Sequence, residues 1–121
     1  MNRFPRDSRL RGGQLYLRLF RTGRRIRSKY FNVIFAPGNG RGARLGVAVS
    51  KRFVAQAVDR NRLKRIVRES FRLHAAGLAD HDVIVQANAP AARAASPQLF
   101  ATLAHAWSAI AESTEPSKSP S

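Results

Sequence analysis

The chain has 121 residues, with 22 lysines and arginines against 7 acidic residues, which gives a formal net charge of +15 at pH 7. This length allows one domain with a modest core, and the charge predicts a polyanionic partner. The lack of cysteine excludes disulfides and thiolate metal sites. No apolar run approaches the roughly 20 residues that cross a membrane, and the N-terminus lacks the apolar segment of a secretory signal. We therefore expect a cytoplasmic protein without a membrane partner.

The first segments of the chain are basic. Residues 1–12 contain a proline and end at a glycine pair, which predicts an extended, irregular arm. Residues 14–21 have apolar side chains at a spacing that fits either a short helix or a strand. In a helix, Tyr16 and Phe20 would lie on one face, because they are four residues apart. Thr22 and Gly23 are expected to end this element.

The next segments have the composition of strands. Residues 24–29 form a basic connection or the start of a strand, and residues 30–35 are rich in aromatic and β-branched side chains. Residues 44–50 alternate, with Leu45, Val47 and Val49 on one face and Gly46, Ala48 and Ser50 on the other. The second face carries only small side chains, so either a ligand or a packed helix could approach it closely.

The stretch from residue 57 to residue 74 is predicted to be an amphipathic helix. At about 100° per residue, its sheet-directed face consists of Leu63, Ile66, Val67, Ser70, Phe71 and His74. The adjoining face is cationic and consists of Arg60, Asn61, Lys64, Arg65, Arg68 and Arg72. Like charges four residues apart repel each other by a few tenths of a kcal/mol. Solvated helix faces usually mix charge signs, so this face favours a polyanion as the missing partner.

The C-terminal third completes the pattern. Residues 82–87 are predicted to be a strand, and the order strand, helix, strand predicts a parallel pair. Residues 88–95 are expected to be a loop, and Ser96 and Pro97 an N-cap followed by the first helical position. The next helix has an apolar stripe formed by Leu99, Phe100, Leu103, Trp107 and Ile110. Residues 112–121 are expected to be a disordered polar tail.

No catalytic or metal-binding group is predicted. The three histidines, His74, His81 and His105, lie on different segments without the arrangement of a metal site or an acid–base pair. The carboxylates are scattered, and Asp59 and Glu69 are interpreted as local partners of neighbouring cations. We therefore expect binding rather than protein-based catalysis, although a pair of catalytic histidines is not excluded by sequence alone.

Several motifs resemble the protein subunit of bacterial ribonuclease P. The stretch Arg60-Asn61-Arg62, followed by Lys64-Arg65 and Arg68-Glu69, resembles the signature of that family. Companion motifs are similar in order and spacing: Phe4-Pro5-Arg6, Phe20 with Gly23, Arg44-Leu45-Gly46, Val49-Ser50-Lys51-Arg52, Ala57-Val58 and Asp82-Val83-Ile84-Val85. Two departures concern loop geometry and the substrate surface. Ala55 and Gln56 lie in a connection one residue longer than in some members, and Tyr16 stands where phenylalanine is frequent.

The resemblance implies the fold. It implies an α+β protein with a single-domain α-β-β-β-α-β-α sandwich, a central mixed sheet and a left-handed β-α-β crossover, as in a domain of a small-subunit ribosomal protein. One RNA-binding domain would span residues 1–111, with residues 1–12 as its basic arm.

The resemblance also implies a function in tRNA processing. The enzyme would be a ribonucleoprotein endonuclease that removes the 5′ leader of precursor tRNA, with chemistry carried out by its RNA subunit and bound Mg²⁺. The catalytic RNA would contact Lys51, Arg52, Arg60, Asn61, Arg62, Lys64, Arg65, Arg68 and Arg72. The single-stranded leader would contact Tyr16, Phe20, Arg21 and Ser50, where aromatic rings can stack on unpaired bases.

Three other functions compete with this interpretation. A ribosomal or rRNA-assembly protein explains the charge and size, but not the signature and its companion motifs. A DNA-binding protein would usually present its recognition helix among other helices, whereas this helix lies between strands, so no DNA partner is expected. A protein-only nuclease would need a catalytic constellation that the sequence does not show.

Overall fold

A computed structural model describes residues 13–38, 40, 42–78 and 80–113. The elements are α1 (Gly13–Thr22), β1 (Arg24–Arg27), β2 (Phe31–Pro37), β3 (Arg44–Ala48), α2 (Ala57–His74), β4 (His81–Ala87) and α3 (Ser96–Ser113). Short 3₁₀ turns span Ala75–Leu78 and Ala89–Arg93. This order confirms the predicted α-β-β-β-α-β-α arrangement of an α+β domain. The expected arm, residues 1–12, lies outside the described residues.

The four strands form one mixed sheet in the order β1-β2-β4-β3. β1 and β4 each pair with β2 in antiparallel orientation, whereas β3 and β4 pair in parallel. The parallel pair confirms the prediction drawn from the strand, helix, strand order. The hand of its crossover stays a prediction from the family resemblance.

One face of the sheet is closed by α2 and α3. Odd-numbered residues of β2 and β4, such as Val33 and Val85, join both helices in a core cluster of 20 buried residues within the described chain. The ring of Trp107 meets that of Phe71 edge-on at 5.7 Å between centroids. Its Nε1 donates a hydrogen bond of 2.7 Å to the buried hydroxyl of Ser70, so α2 and α3 are fixed to each other by both apolar and polar contacts.

Among the described elements, α1 alone covers the other face. Residues 14–21 fit either a helix or a strand, and the structure has a helix because Tyr16, Leu19 and Phe20 then converge on the sheet. The buried cluster there is small and consists of Leu19, Ile34, Ala36 and Ile84. Gly23 ends the helix, and its amide donates to the carbonyl of Leu19 at 2.8 Å.

Four sequence-based expectations need correction. Residues 88–95 are not an irregular loop, because Ala89–Arg93 forms a 3₁₀ turn that buries Ala91. The cap of α3 is Ala95, whose carbonyl accepts the amide of Leu99 at 3.2 Å, so the predicted cap was one residue late. His74 is exposed rather than directed at the sheet, and the neighbouring core positions are Phe71 before it and Leu78 after it. Helix α3 continues to Ser113, past the expected start of the tail.

Candidate RNA interface

The outward face of α2 carries cations with no internal partner. Asn61, Arg65 and Arg68 are exposed, and Lys64 is half-buried. Within the described part of the chain, none of these four side chains makes a hydrogen bond or an ion pair. Amphipathicity explains their position, because the opposite face buries Leu63 and Val67 against the sheet. Donors and charges are therefore free to meet an external anion.

Three other cations of α2 are bound within the protein. Arg62 donates from Nη2 to the carbonyl of Ala94 at 2.7 Å and to the hydroxyl of Ser96 at 3.2 Å, which ties α2 to the start of α3. Arg60 donates from Nη1 to two carbonyls of the connection before α2, at 3.1 Å and 2.8 Å. Arg72 pairs with Glu69 at 2.6 Å. The structure thus divides these side chains of α2 into two groups. The outward group consists of Asn61, Lys64, Arg65 and Arg68, and the anchored group consists of Arg60, Arg62 and Arg72.

The turn before α2 presents two further cations. Lys51 and Arg52 are exposed. The hydroxyl of Ser50 accepts the amide of Arg52 at 2.9 Å, and its carbonyl accepts the amide of Val54 at 2.9 Å. Ser50 therefore shapes this turn, in addition to being exposed at the end of β3.

Tyr16 of α1 lies directly against Gly46 of β3. A Cβ atom built on Gly46 would contact the Tyr16 hydroxyl and would lie 2.8 Å from its Cζ. No residue with a side chain fits there without moving the ring, which explains one of the small residues noted in the sequence. Tyr16 also meets Phe20 edge-on at 6.3 Å between ring centroids. Both rings are only partly buried, so each ring packs within the protein and also keeps an exposed part.

A polar row crosses the sheet beside these rings. The pairing register aligns one residue from each strand, namely Arg27, Asn32, Gln86 and Ala48. Arg18 and Tyr16 point to opposite sides of α1, because two residues span about 200°. Arg18 binds Asp82, which lies four residues before Gln86 of the polar row on β4. Tyr16 and Phe20, on the other side of α1, therefore border the polar row. The row and the rings together lie on the sheet face that α1 covers, and we call this surface the cleft.

Ion pairs and hydrogen bonds hold α1 in this position. Asp82 is fully buried on β4, and its carboxylate accepts Arg44 at 2.8 Å and Arg18 at 3.2 Å. Arg25 of β1 donates to the carbonyl of Phe20. The predicted leader contact Arg21 is exposed near the end of the helix, next to Leu17.

The two surfaces meet at the edge strand β3. Burial raises the pKa of the Tyr16 phenol, and the positive charge of Arg68 lowers it in part. The positive charge of Arg68, on the outward face of α2, therefore acts on the ring of Tyr16. β3 contacts Tyr16 through Gly46 on one face and packs Leu45 with α2 on the other, so the two surfaces flank this strand.

Sequence reasoning missed the polar row and the buried aspartate. Asn32 and Gln86 interrupt otherwise apolar strands, which is a signal in the sequence itself. Their alignment with Arg27 follows only from the register. Among the described residues there is no group of three or more histidine or acidic side chains that could hold a metal, and none of the described helices is long and apolar enough to cross a membrane.

The fold and these two surfaces define an RNA-binding protein of the α+β class. A model of the family Ribonuclease P matches residues 4–111. The chain is 41% identical over 110 residues to the ribonuclease P protein component of Desulfatibacillum aliphaticivorans, which covers 90% of this chain and 92% of that one. It is 37% identical over 117 residues to that of Methylococcus capsulatus, with 97% and 91% covered.

Solved structures show the same relationship. The RNase P protein of Staphylococcus aureus matches with a TM-score of 0.74 and 31% identity, over 81% of this chain and 90% of that chain. The protein from Thermotoga maritima matches with a TM-score of 0.72 and 30% identity, over 82% and 94%. The chain therefore belongs to the ribonuclease P protein family, which supplies the protein subunit of ribonuclease P in tRNA processing. The resemblance drawn from the sequence motifs is confirmed.

Proposed function

We propose that the outward face of α2 binds the RNA subunit of ribonuclease P and that the cleft beside α1 binds the 5′ leader of precursor tRNA. The observation that carries this proposal is the division of the α2 side chains. Asn61, Lys64, Arg65 and Arg68 have no internal partner, while the other arginines do. Folded RNA is recognised mainly through its shape, phosphates and 2′-hydroxyls, and an ordered row of free donors suits that mode of binding.

The anchored arginines have a different proposed role. Arg60, Arg62 and Arg72 order the interface, because each fixes a backbone segment or an acidic neighbour. Lys51 and Arg52 extend the phosphate-binding surface at the turn before α2. Any RNA contact by the anchored group then uses only the guanidinium nitrogens that the internal bonds leave available.

The cleft suits a single strand of variable sequence. Tyr16 and Phe20 offer partly exposed rings for base stacking, which is sequence-tolerant and worth about 1–3 kcal/mol per base. Arg27, Asn32 and Gln86 offer polar contacts to sugars, phosphates and bases along the floor. Arg21 and Ser50 lie near the ends of α1 and β3, where they can contact the backbone of the same strand.

Catalysis is assigned to the RNA subunit. In this proposal the Mg²⁺ ions that activate water are bound mainly by the RNA subunit, as the family resemblance implies. His74 and His81 each have Nδ1 within 2.9 Å of a backbone carbonyl, and they lie on different elements, α2 and β4. The proposed class is thus a non-catalytic subunit of a ribonucleoprotein endonuclease, with the cytoplasm as its predicted compartment.

The test of the RNA-binding face compares outward and anchored arginines. The variant with Lys64→Ala, Arg65→Ala and Arg68→Ala should bind the RNA subunit more weakly. Its log–log salt slope should fall by about 2–3, because each lost phosphate contact removes roughly 0.7–0.9. Binding is measured across a salt series with the intact RNA.

Arg62→Ala is the matched control on the same helix. It should lower the free energy of unfolding by about 1.5–3 kcal/mol, the range for hydrogen bonds from a charged donor, with a smaller change in salt slope. Unchanged affinity and slope in the triple variant would refute the assignment of the face.

The test of the cleft uses two substrates. Tyr16→Ala combined with Phe20→Ala should weaken binding of precursor tRNA to the holoenzyme and leave mature tRNA unaffected, because only the precursor carries a leader. Equal losses for both substrates would contradict leader binding in the cleft.

A further inference from the structure

A cavity lies at the N-terminal end of α2, and the residues that line it are not those of the cleft. It has a volume of about 510 Å³ and lies between the connection that precedes α2 and the 3₁₀ turn Ala89–Arg93. Phe53 forms one wall, and Pro90 and Ala92 line the other. Pockets of roughly 300–1,000 Å³ are the size that accepts small ligands or parts of larger ones.

Phe53 is exposed, whereas the next residue, Val54, is buried in the core. Val54 is 1% exposed and belongs to the main core cluster, whereas Phe53 is 52% exposed. An aromatic side chain that remains half in water does not contribute its full apolar area to folding. Its position therefore favours contact with something outside the chain.

The polar groups of the cavity are also unused. Gln56, Asp59 and Arg93 line it, and their side chains make no hydrogen bond or ion pair with another residue of the described chain. Gln56 occupies the cap position of α2 without a side-chain cap. The carboxylate of Asp59, the amide of Gln56 and the guanidinium of Arg93 thus line the cavity together with its apolar residues.

The surroundings of the cavity are basic and continuous with the proposed RNA interface. Lys51 and Arg52 precede Phe53 directly and are exposed, and Arg93 is exposed on the opposite side. Arg60, one turn into α2, binds the carbonyls of Val54 and Ala55 beside the cavity. Cations on both sides of an aromatic wall match the charge of a polynucleotide, with phosphates on either side of a base.

We propose that this cavity holds one unpaired base of the RNA subunit. The base stacks on Phe53 and contacts Pro90 on the opposite wall, while Lys51 and Arg93 neutralise the flanking phosphates. The carboxylate of Asp59 accepts a hydrogen bond from an exocyclic amino group, as carboxylates do from cytosine N4. Adenine, guanine and cytosine carry such a group and uracil does not. The inference rests on the proposed function and adds a base-specific contact to a surface otherwise defined by charge.

The first experiment measures affinity of Phe53→Ala for the RNA subunit across a salt series. We expect roughly 5- to 150-fold weaker binding, the range for one lost stacking contact, with an unchanged salt slope because no phosphate contact is removed. Phe53→Trp should retain wild-type affinity. Val58→Ala is the matched control, because Val58 is 72% exposed at the same end of α2 but does not line the cavity.

The outcomes separate this inference from the proposed function. Equal affinities of Phe53→Ala and Val58→Ala, with the Lys64, Arg65 and Arg68 triple variant still defective, would overturn the base pocket alone. Wild-type protein without affinity for the RNA would overturn both. A loss of self-association instead of RNA affinity in Phe53→Ala would identify a protein contact and also overturn the proposal.

A second experiment locates the base. The chain lacks cysteine, so Ala89→Cys at the exposed rim of the cavity accepts a photoreactive thiol reagent at a single site. Cross-linking to one unpaired adenosine, guanosine or cytidine is the expected result, and replacing that nucleotide by uridine should weaken binding to wild type but not to Asp59→Asn. Cross-links scattered over helical RNA would contradict the pocket.

Discussion

The two faces of the sheet differ in how completely the chain covers them. On the side of α2 and α3, 20 buried residues of the described chain form a continuous core. On the side of α1, four buried residues form a small cluster, and two aromatic rings remain partly exposed beside a polar row. The first face provides most of the apolar burial that stabilises the domain. The second keeps aromatic and polar groups accessible, so the proposed leader contact uses the face that contributes less to stability.

The largest expected effect is on the closed face. Trp107→Ala should lower the free energy of unfolding by about 3–5 kcal/mol, because it leaves a cavity against Phe71 and removes the donor to the Ser70 hydroxyl. Urea unfolding measures this loss. Trp107→Phe is the control, since it keeps a ring and should cost less. The holoenzyme formed with the folded fraction of Trp107→Ala should still bind precursor tRNA more tightly than mature tRNA, and loss of that preference would show that the two faces are not separate.

An intermediate effect is expected where α1 is fixed to the sheet. Asp82→Asn keeps the side-chain volume but removes the charge that holds Arg18 and Arg44. We expect a loss of about 2 kcal/mol, less than for a fully buried pair because Arg18 is half-exposed. Because α1 would be held less firmly over the cleft, precursor tRNA should bind the holoenzyme more weakly, and mature tRNA should not.

Asp80→Asn is the control for this change. The Asp80 carboxylate accepts the amides of Gly40 and Gly42 in the loop before β3, away from α1. Its loss should therefore leave precursor binding unchanged. Similar precursor defects in both variants would show that Asp82 acts through general stability alone.

The smallest effect concerns the ionisation of Tyr16. Burial raises its pKa above the ordinary value of 10.0, and Arg68 offsets part of that rise. A phenol that keeps its proton longer in the folded state stabilises the fold below pH 10, and that contribution is lost as pH rises above it. Wild type should therefore lose stability more steeply than Tyr16→Phe in alkaline unfolding measurements. Parallel curves for the two proteins would contradict the burial of the ring.

The sequence was sufficient for the order of elements and for the cationic face of α2. Local periodicity defined residues 57–74 almost to the residue, since amphipathic helices repeat a short-range pattern. Residues 14–21 remained ambiguous between helix and strand, because only their packing against Ile34 and Ile84 selects the helix. A helical projection leaves Arg62 off the cationic face but does not show what it binds, because its partner, the carbonyl of Ala94, comes from a distant segment.

The polar row was beyond sequence reasoning for a similar reason. Arg27, Asn32, Ala48 and Gln86 are separated by up to 59 positions in the numbering and become neighbours only through strand register. The exposure of Phe53 was also not predicted, because an apolar residue in a short connection is as compatible with the core as its neighbour Val54. Motif resemblance gave the family, while the placement of individual side chains needed the structure.

The basic charge at the edges of the sheet has a consequence for the protein before it meets RNA. β1 and β3 are the edge strands of the described sheet, and unpaired strand edges tend to pair with other chains and aggregate. Three of the four residues of β1 are arginines, and the positive charge of Arg68 acts on Tyr16, which packs against Gly46 of β3. Two free molecules that approach edge to edge therefore repel each other. In low salt this repulsion keeps the edges apart, whereas high salt, which screens it, should promote self-association of the RNA-free chain.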